Sequence, residues 1–303
     1  MKIFKFSTLF LFGLLLITGC GKPSDPESLA TQESAGYKIV SQLSSTGYSQ
    51  DVVVRDTLAY IAQGEGGLVI INIADKENPK IVSTTKEGVR GYSSKIALKD
   101  NAVYLAAGSF GINVLNVGNP DLPLITASNL AVKPAKDFHI MGNYLFTTIS
   151  EQGFGVCDIS FATQPIVRAE TKTMGFARGI TTSADSNYVF VACGEMGLSI
   201  YNISNFQIGW GIYPPVGWGD TPGYAEAVTV LDDESLAFMA CGTEGLQIVD
   251  YSDSTNIHVV GSYDGGGYAK ELLYENGLIY LTAELRGMQI INVSDPANPY
   301  LLG

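Results

Sequence analysis

Six copies of one segment, about 44 residues apart, constrain this 303-residue chain more than any other feature. GLVIINI, GINVLNV, GFGVCDI, GLSIYNI, GLQIVDY and GMQIINV begin at Gly67, Gly111, Gly153, Gly197, Gly245 and Gly287. The steps between them are 44, 42, 44, 48 and 42 residues. Self-similarity at such a period marks a solenoid or propeller, because one repeat alone cannot bury its apolar faces. The copies and their flanks occupy the chain from about residue 37 onward and leave no segment for a separate catalytic domain.

Each copy has the same internal order. Seven residues before the glycine stands an aromatic (Tyr60, Tyr104, Phe146, Phe190, Phe238, Tyr280) within an apolar run of strand-forming residues. Five residues after it stands Asn72, Asn116, Asp158, Asn202, Asp250 or Asn292, ending a second strand. Such side chains can accept a hydrogen bond from their own turn. A further strand follows the turn in KIVST, LITAS, IVRAE and HVVGS, and another precedes the aromatic run in DVVV, KIAL, DFHI, GITT, AVTV and ELLY.

Four short strands per copy predict an all-β fold, a β-propeller of six four-stranded blades. Helical repeats are weaker rivals, since no helical period is found, and a parallel β-helix is the remaining alternative, although its coils are much shorter than these copies. The expected organisation is a leader over 1–19, a tether over 20–36 and a propeller over 37–303. Its blades would span approximately 44–86, 87–129, 130–172, 173–218, 219–264 and 265–303. Both YKIVSQL (37–43) and the last residues, YLLG (300–303), have the character of an outer strand. The longer N-terminal segment is expected to take the last blade's edge while the C-terminus frays.

The pattern Gly-Leu-x-Ile-x-Asn/Asp-x-Ser-Asp-Pro-x-Asn-Pro is matched best in copy six as GMQIINVSDPANP (287–299), with Met288 in place of Leu, and begins in copy five as GLQIVDYSD (245–253). It resembles the LVIVD-repeat proteins of bacterial and archaeal envelopes, over residues 37–303. Copies three and four depart after the Asx, with SFATQP and SNFQIG. The resemblance implies a propeller-like, exported protein and defines no molecular activity.

The N-terminus supplies an address. Lys2 and Lys5 precede an apolar run from Phe6 to Ile17, too short for a comfortable bilayer span. The run closes in Leu16-Ile17-Thr18-Gly19-Cys20, which resembles the bacterial lipobox and implies a lipid on Cys20. A multiply acylated cysteine is a stable anchor. Residues 21–36, rich in Pro, Ser and Glu, have the composition of a flexible tether. The expected location is the bacterial envelope, at the outer membrane or cell surface, with a periplasm-facing placement open. The chain carries 30 acidic against 18 basic residues, a formal charge of -12, and loss of Lys2 and Lys5 deepens it to -14. A nucleic-acid partner is not expected, since phosphate binding needs a basic face. A monomer is expected.

The binding surface is expected where the copies converge. Gly-aromatic-small triplets such as GYS (47–49), GFA (175–177) and GYA (223–225) introduce the inner strands, and polar residues follow them. Asp51, Lys95, Lys136, Asp137, Arg178, Glu226, Lys270 and Glu271 should meet on one rim of the channel. The repeated aromatics suit packing between blades. The stretch from Asn205 to Pro222 holds both tryptophans; Trp210 is expected to pack on its own blade, while Trp218 is the candidate for an exposed contact.

No catalytic motif emerges, and neither a metal nor a cofactor is expected. His139 and His258 lie in different copies, and Cys157, Cys193 and Cys241 read as small buried hydrophobes. The expectation is an envelope-anchored, non-enzymatic scaffold that binds a protein or a glycan. A carbohydrate-active enzyme using the rim carboxylates and a structural envelope component are the alternatives.

Overall fold

The computed structural model describes residues 37–45, 47–129, 132–204 and 214–303. Cys20, the tether, Trp210 and Tyr213 therefore lie outside the described residues. Six four-stranded antiparallel sheets follow one another along the chain, each a simple meander from an inner to an outer strand. Blade one is Asp51–Arg55, Leu58–Ala62, Leu68–Asn72 and Lys80–Thr85. The inner strands of the other blades are Lys95–Lys99, Phe138–Met141, Gly179–Thr182, Ala227–Leu231 and Glu271–Glu275. Such an arrangement is a six-bladed β-propeller.

Local chemistry accounts for the meander. All six Asx side chains accept from the backbone two residues on, as Asn72 does from Ala74 N at 2.9 Å and Asn292 from Ser294 N at 3.0 Å. Each therefore satisfies a turn amide that the ladder has left behind. At the opposite end the turn between second and third strands closes on the repeat glycine, Gln63 N donating to Gly67 O at 2.9 Å and Cys193 N to Gly197 O at 2.8 Å. Gly67 has φ +74, and a Cβ there would stand 2.3 Å from Thr85 O of the outer strand. Only glycine suits both demands.

Five apolar cores, one per junction, join blade one to two and so on to blade six. The first five repeat aromatics, Tyr60, Tyr104, Phe146, Phe190 and Phe238, lie wholly inside them. A backbone bridge reinforces each junction: Gly64 to Ser93, Gly108 to Ala135, Ser150 to Ala177, Gly194 to Ala225 and Gly242 to Ala269. The triplet aromatic lies against the preceding blade, with the Tyr92, Tyr224 and Tyr268 rings over Gly64, Gly194 and Gly242. Packing between blades is thus the role of these aromatics.

The sixth junction is different. Among the described residues no bridge joins blade six to blade one and no apolar core spans the two. Glu284 stands where the other blades have Gly or Ser, at φ +40. Tyr48, with no glycine seat, is 81% exposed. Ala59, Val69 and Ile71 form a small cluster within blade one alone.

Two expectations are corrected here. The edge of blade six is held by the C-terminal strand Tyr300–Leu301, paired with Asn292 and Ile291, and residues 37–43 join no strand. Adjacent sequence reaches that edge through a short turn, at a smaller loop-closure cost than a segment from the far end of the chain. The outer strand of blade four is Gly217–Gly219, beyond the insertion, so Trp218 belongs to a sheet and not to a loop.

Candidate functional site

The strand direction places the first residue of every inner strand, and the one or two residues before it, at one end of the channel. A cavity of about 690 Å³ opens there, lined by Asp51, Lys95, Lys136, Asp137, Arg178, Glu226, Lys270 and Glu271 together with Gln50 and Ser94. Eight of the nine rim candidates proposed from the sequence thus meet at one mouth. Trp218 does not: it is 40% exposed, its indole Nε1 donates to Met196 O at 2.6 Å, and it is not part of the lining.

Lys95 is the centre of an ion cluster drawn from four blades. Its ammonium lies 2.8 Å from Glu271, 3.2 Å from Asp137 and 3.9 Å from Asp51. Burial opposes the charge, but Asp137, Glu271 and Asp51 outweigh it and hold the lysine pKa above its ordinary value. One ammonium cannot compensate three carboxylates. Burial, opposed by Lys95 and aided by Asp137 and Asp51, accordingly pushes Glu271 up to about 7, and burial also raises Asp51.

Two of these carboxylates also bind backbone. Asp51 Oδ2 accepts from Ile96 N at 3.0 Å, and Asp137 Oδ2 from Ile180 N at 2.8 Å. Each clasps the next blade's inner strand by satisfying an amide at its start. Across the mouth, Arg178 donates to Glu226 at 2.6 Å, and Glu226 accepts a second bond from the Tyr268 hydroxyl at 2.7 Å. The Arg178 guanidinium also lies 5.8 Å from the centre of the Tyr224 ring. Sequence reasoning found these charges but not the backbone clasps, which depend on interblade register.

The remaining candidates are structural. His139 is half-buried between the hydroxyls of Thr181 and Thr182, at 3.4 and 3.0 Å, and burial lowers its pKa. Cys157, Cys193 and Cys241 are free and buried, with burial pushing their thiols up to about 12, 11 and 12. Among the described residues no His/Cys/Asp/Glu group is arranged to hold a metal ion, and no helix is long and apolar enough to cross a membrane.

The fold and its mouth define a class: a six-bladed propeller of nearly equal repeats with a charged opening at one end of the channel. The LVIVD repeat model matches residues 46–86, 134–173, 175–206 and 222–265, more than half of the chain. The chain belongs to the LVIVD repeat family. A comparison with curated protein sequences returns no significant match. Among solved structures, the chain is similar to a putative 6-phosphogluconolactonase from Bacteroides fragilis at 11% identity and TM-score 0.68, over 84% of this chain and 82% of that one. The WD40 β-propeller domain of Doa1 matches at 12% and TM-score 0.67, over 87% and 85%. A functionally unknown protein from Desulfotomaculum acetoxidans matches at 15% and 0.65, over 84% and 85%. At these identities the likeness concerns the fold alone.

Proposed function

We propose that this protein is a bacterial envelope lipoprotein, anchored through Cys20, whose propeller binds a protein or glycan partner at the channel mouth without catalysing a reaction. The observation that carries the reading is the state of the mouth carboxylates. Asp51 and Asp137 are committed to backbone amides and Lys95, and Glu226 to Arg178 and Tyr268. Groups so engaged shape a recognition surface and are poorly placed to exchange protons with a substrate. Rim charges contributed by six blades give a partner many independent contacts on a rigid frame.

A photocrosslinking side chain at Lys136, in the mouth, and another at Lys76, in a turn at the opposite end of blade one, test this reading in cells. Partner adducts are expected from the first position and not from the second; equal labelling of both ends would remove the mouth from the account. Labelled palmitate should enter the chain and be lost in Cys20→Ser. Protease shaving of intact cells, with a lysed control, then gives the face of the envelope.

One observation favours the enzymatic alternative. Glu271 is 40% exposed, and its carboxyl is pushed up to about 7, the range of a general acid. A glycan-cleaving turnover abolished by Glu271→Gln would establish that alternative and end the scaffold reading.

A further inference from the structure

The charges at the mouth fall into two sets of opposite net sign. On the inner side, Asp51, Asp137 and Glu271 surround Lys95, three carboxylates to one ammonium, with Lys95, Asp51 and Asp137 largely buried. One place earlier in the repeat stands a second set, Lys136, Arg178, Glu226 and Lys270, three cations to one carboxylate, with the neutral Gln50 and Ser94 in the other two blades. Within it Arg178 and Glu226 satisfy one another. Lys136 and Lys270 are exposed, and among the described residues neither is paired with a carboxylate. Both sets line the one cavity of about 690 Å³.

A solute entering this cavity meets unpaired lysines first and excess carboxylate beneath them. An anion alone gains from the lysines and is repelled by the inner set, whereas a cation alone is repelled on entry. A molecule with an ammonium at its leading end and an anionic group behind it gains from both, because each charge lies beside its opposite in a partly desolvated site. Of the inner carboxylates Glu271 is the most exposed, at 40%, and thus the one with an oxygen to offer such an ammonium.

We propose that the channel mouth binds a zwitterion of the phosphoethanolamine type, its ammonium against Glu271 and its anionic group between Lys136 and Lys270. This rests on the reading of the mouth as a binding site and names a ligand chemistry for it. The chemistry is shared by a free phosphoethanolamine ester and by a phospholipid headgroup. The elevated pKa of Glu271 is consistent with a site short of positive charge.

Calorimetric titration of the full chain in detergent with phosphoethanolamine, ethanolamine and inorganic phosphate tests the proposal. Phosphoethanolamine should bind at least ~10-fold more tightly than either half, the equivalent of one contact of about 1.4 kcal/mol. The double variant Lys136→Ala/Lys270→Ala and the single variant Glu271→Gln should each lose about that factor. Lys136 and Lys270 are exposed and Glu271 is partly exposed, and a cooperative melt for each variant confirms folding. Binding no tighter than that of phosphate or ethanolamine, or indifference to both variants, would overturn the proposal. Variant-sensitive binding to phosphatidylethanolamine vesicles, over phosphatidylglycerol vesicles, would assign the ligand to a lipid headgroup; binding of the soluble ester alone would assign it to a free solute. A negative titration leaves the crosslinking test of a macromolecular partner intact, so the two readings fail separately.

Discussion

The Ser41 hydroxyl donates to the Lys76 carbonyl at 2.7 Å, as Ser83 donates to the Pro120 carbonyl at 2.6 Å one junction further round. Residues near Ser41 therefore stand against blade one as the outer strand of blade one stands against blade two. The edge of blade six is nevertheless taken by Tyr300–Leu301. One structural position, the outer strand between blades six and one, is divided between the two ends of the chain. The short outer strand of blade six also stops before the repeat glycine: a Cβ at Gly287 would meet nothing within 4 Å, whereas at Gly245 it would strike Tyr263 O of blade five's own outer strand at 2.3 Å.

Equivalent residues of blades five and six should therefore differ sharply in their value to stability. Leu246 is fully buried and Met288, at the same place in its repeat, is 61% exposed. Leu246→Ala should cost about 2–5 kcal/mol and Met288→Ala under about 0.5 kcal/mol in urea unfolding. Similar costs would show that the sixth junction is sealed in solution. Hydrogen exchange offers an independent check, with residues 288–290 exchanging well before 246–248.

The architecture was legible in the sequence because each rule behind it is local. Asn72 and its five counterparts announce their turns two residues away, and Gly67 announces a tight turn by recurring at a fixed distance from Tyr60. The convergence of the rim charges followed from repetition itself. The outcomes that sequence did not supply depend on competition or on register. YKIVSQL and YLLG are both adequate outer strands, and chain proximity decides between them. Trp218 is exposed as expected but sits in a strand and not in the inserted loop, because its flanking glycines let the strand lie against Ile257 of the next blade, 2.4 Å from a Cβ built at Gly219. That Asp137 clasps Ile180 N requires the stagger between neighbouring blades, which no single repeat encodes.

The clasp is testable directly. Asp137 accepts from Ile180 N and Phe138 N, both at 2.8 Å, and neighbours Lys95. Asp137→Ala leaves a partly buried amide and ammonium short of a partner and should cost about 1.5–3 kcal/mol; Asp137→Asn, which retains one acceptor oxygen, should cost less. A neutral Asp137→Ala in chemical denaturation would mean that the amide is satisfied by water.

Two glycines separate backbone strain from the aromatic seat. Gly108 and Gly194 have nearly the same conformation, φ +55 and +59, but a Cβ at Gly108 meets nothing within 4 Å, while one at Gly194 lies 2.8 Å from the Tyr224 ring. Gly108→Ala should cost only the left-handed penalty, about 1–2 kcal/mol. Gly194→Ala should cost more, and a double variant with Tyr224→Ala should recover part of the excess. Equal effects at the two positions would deny the ring its packing role.

Glu271 gives the pH dependence a definite sign. Its carboxyl is pushed up to about 7 from an ordinary 4.5, so between those values the folded chain holds a proton that the unfolded chain has released. This group's contribution to stability is complete below pH 4.5 and is lost as pH rises through 7. Glu271→Gln mimics the protonated form at every pH. Its thermal midpoint, measured relative to the parent chain, should rise from pH 5 to about pH 7 and level off above it. A relative midpoint that instead falls over this interval would mean that the carboxylate is the favoured form, with Lys95 dominating burial and the two neighbouring aspartates; the excess of negative charge that the zwitterion proposal requires would then be absent.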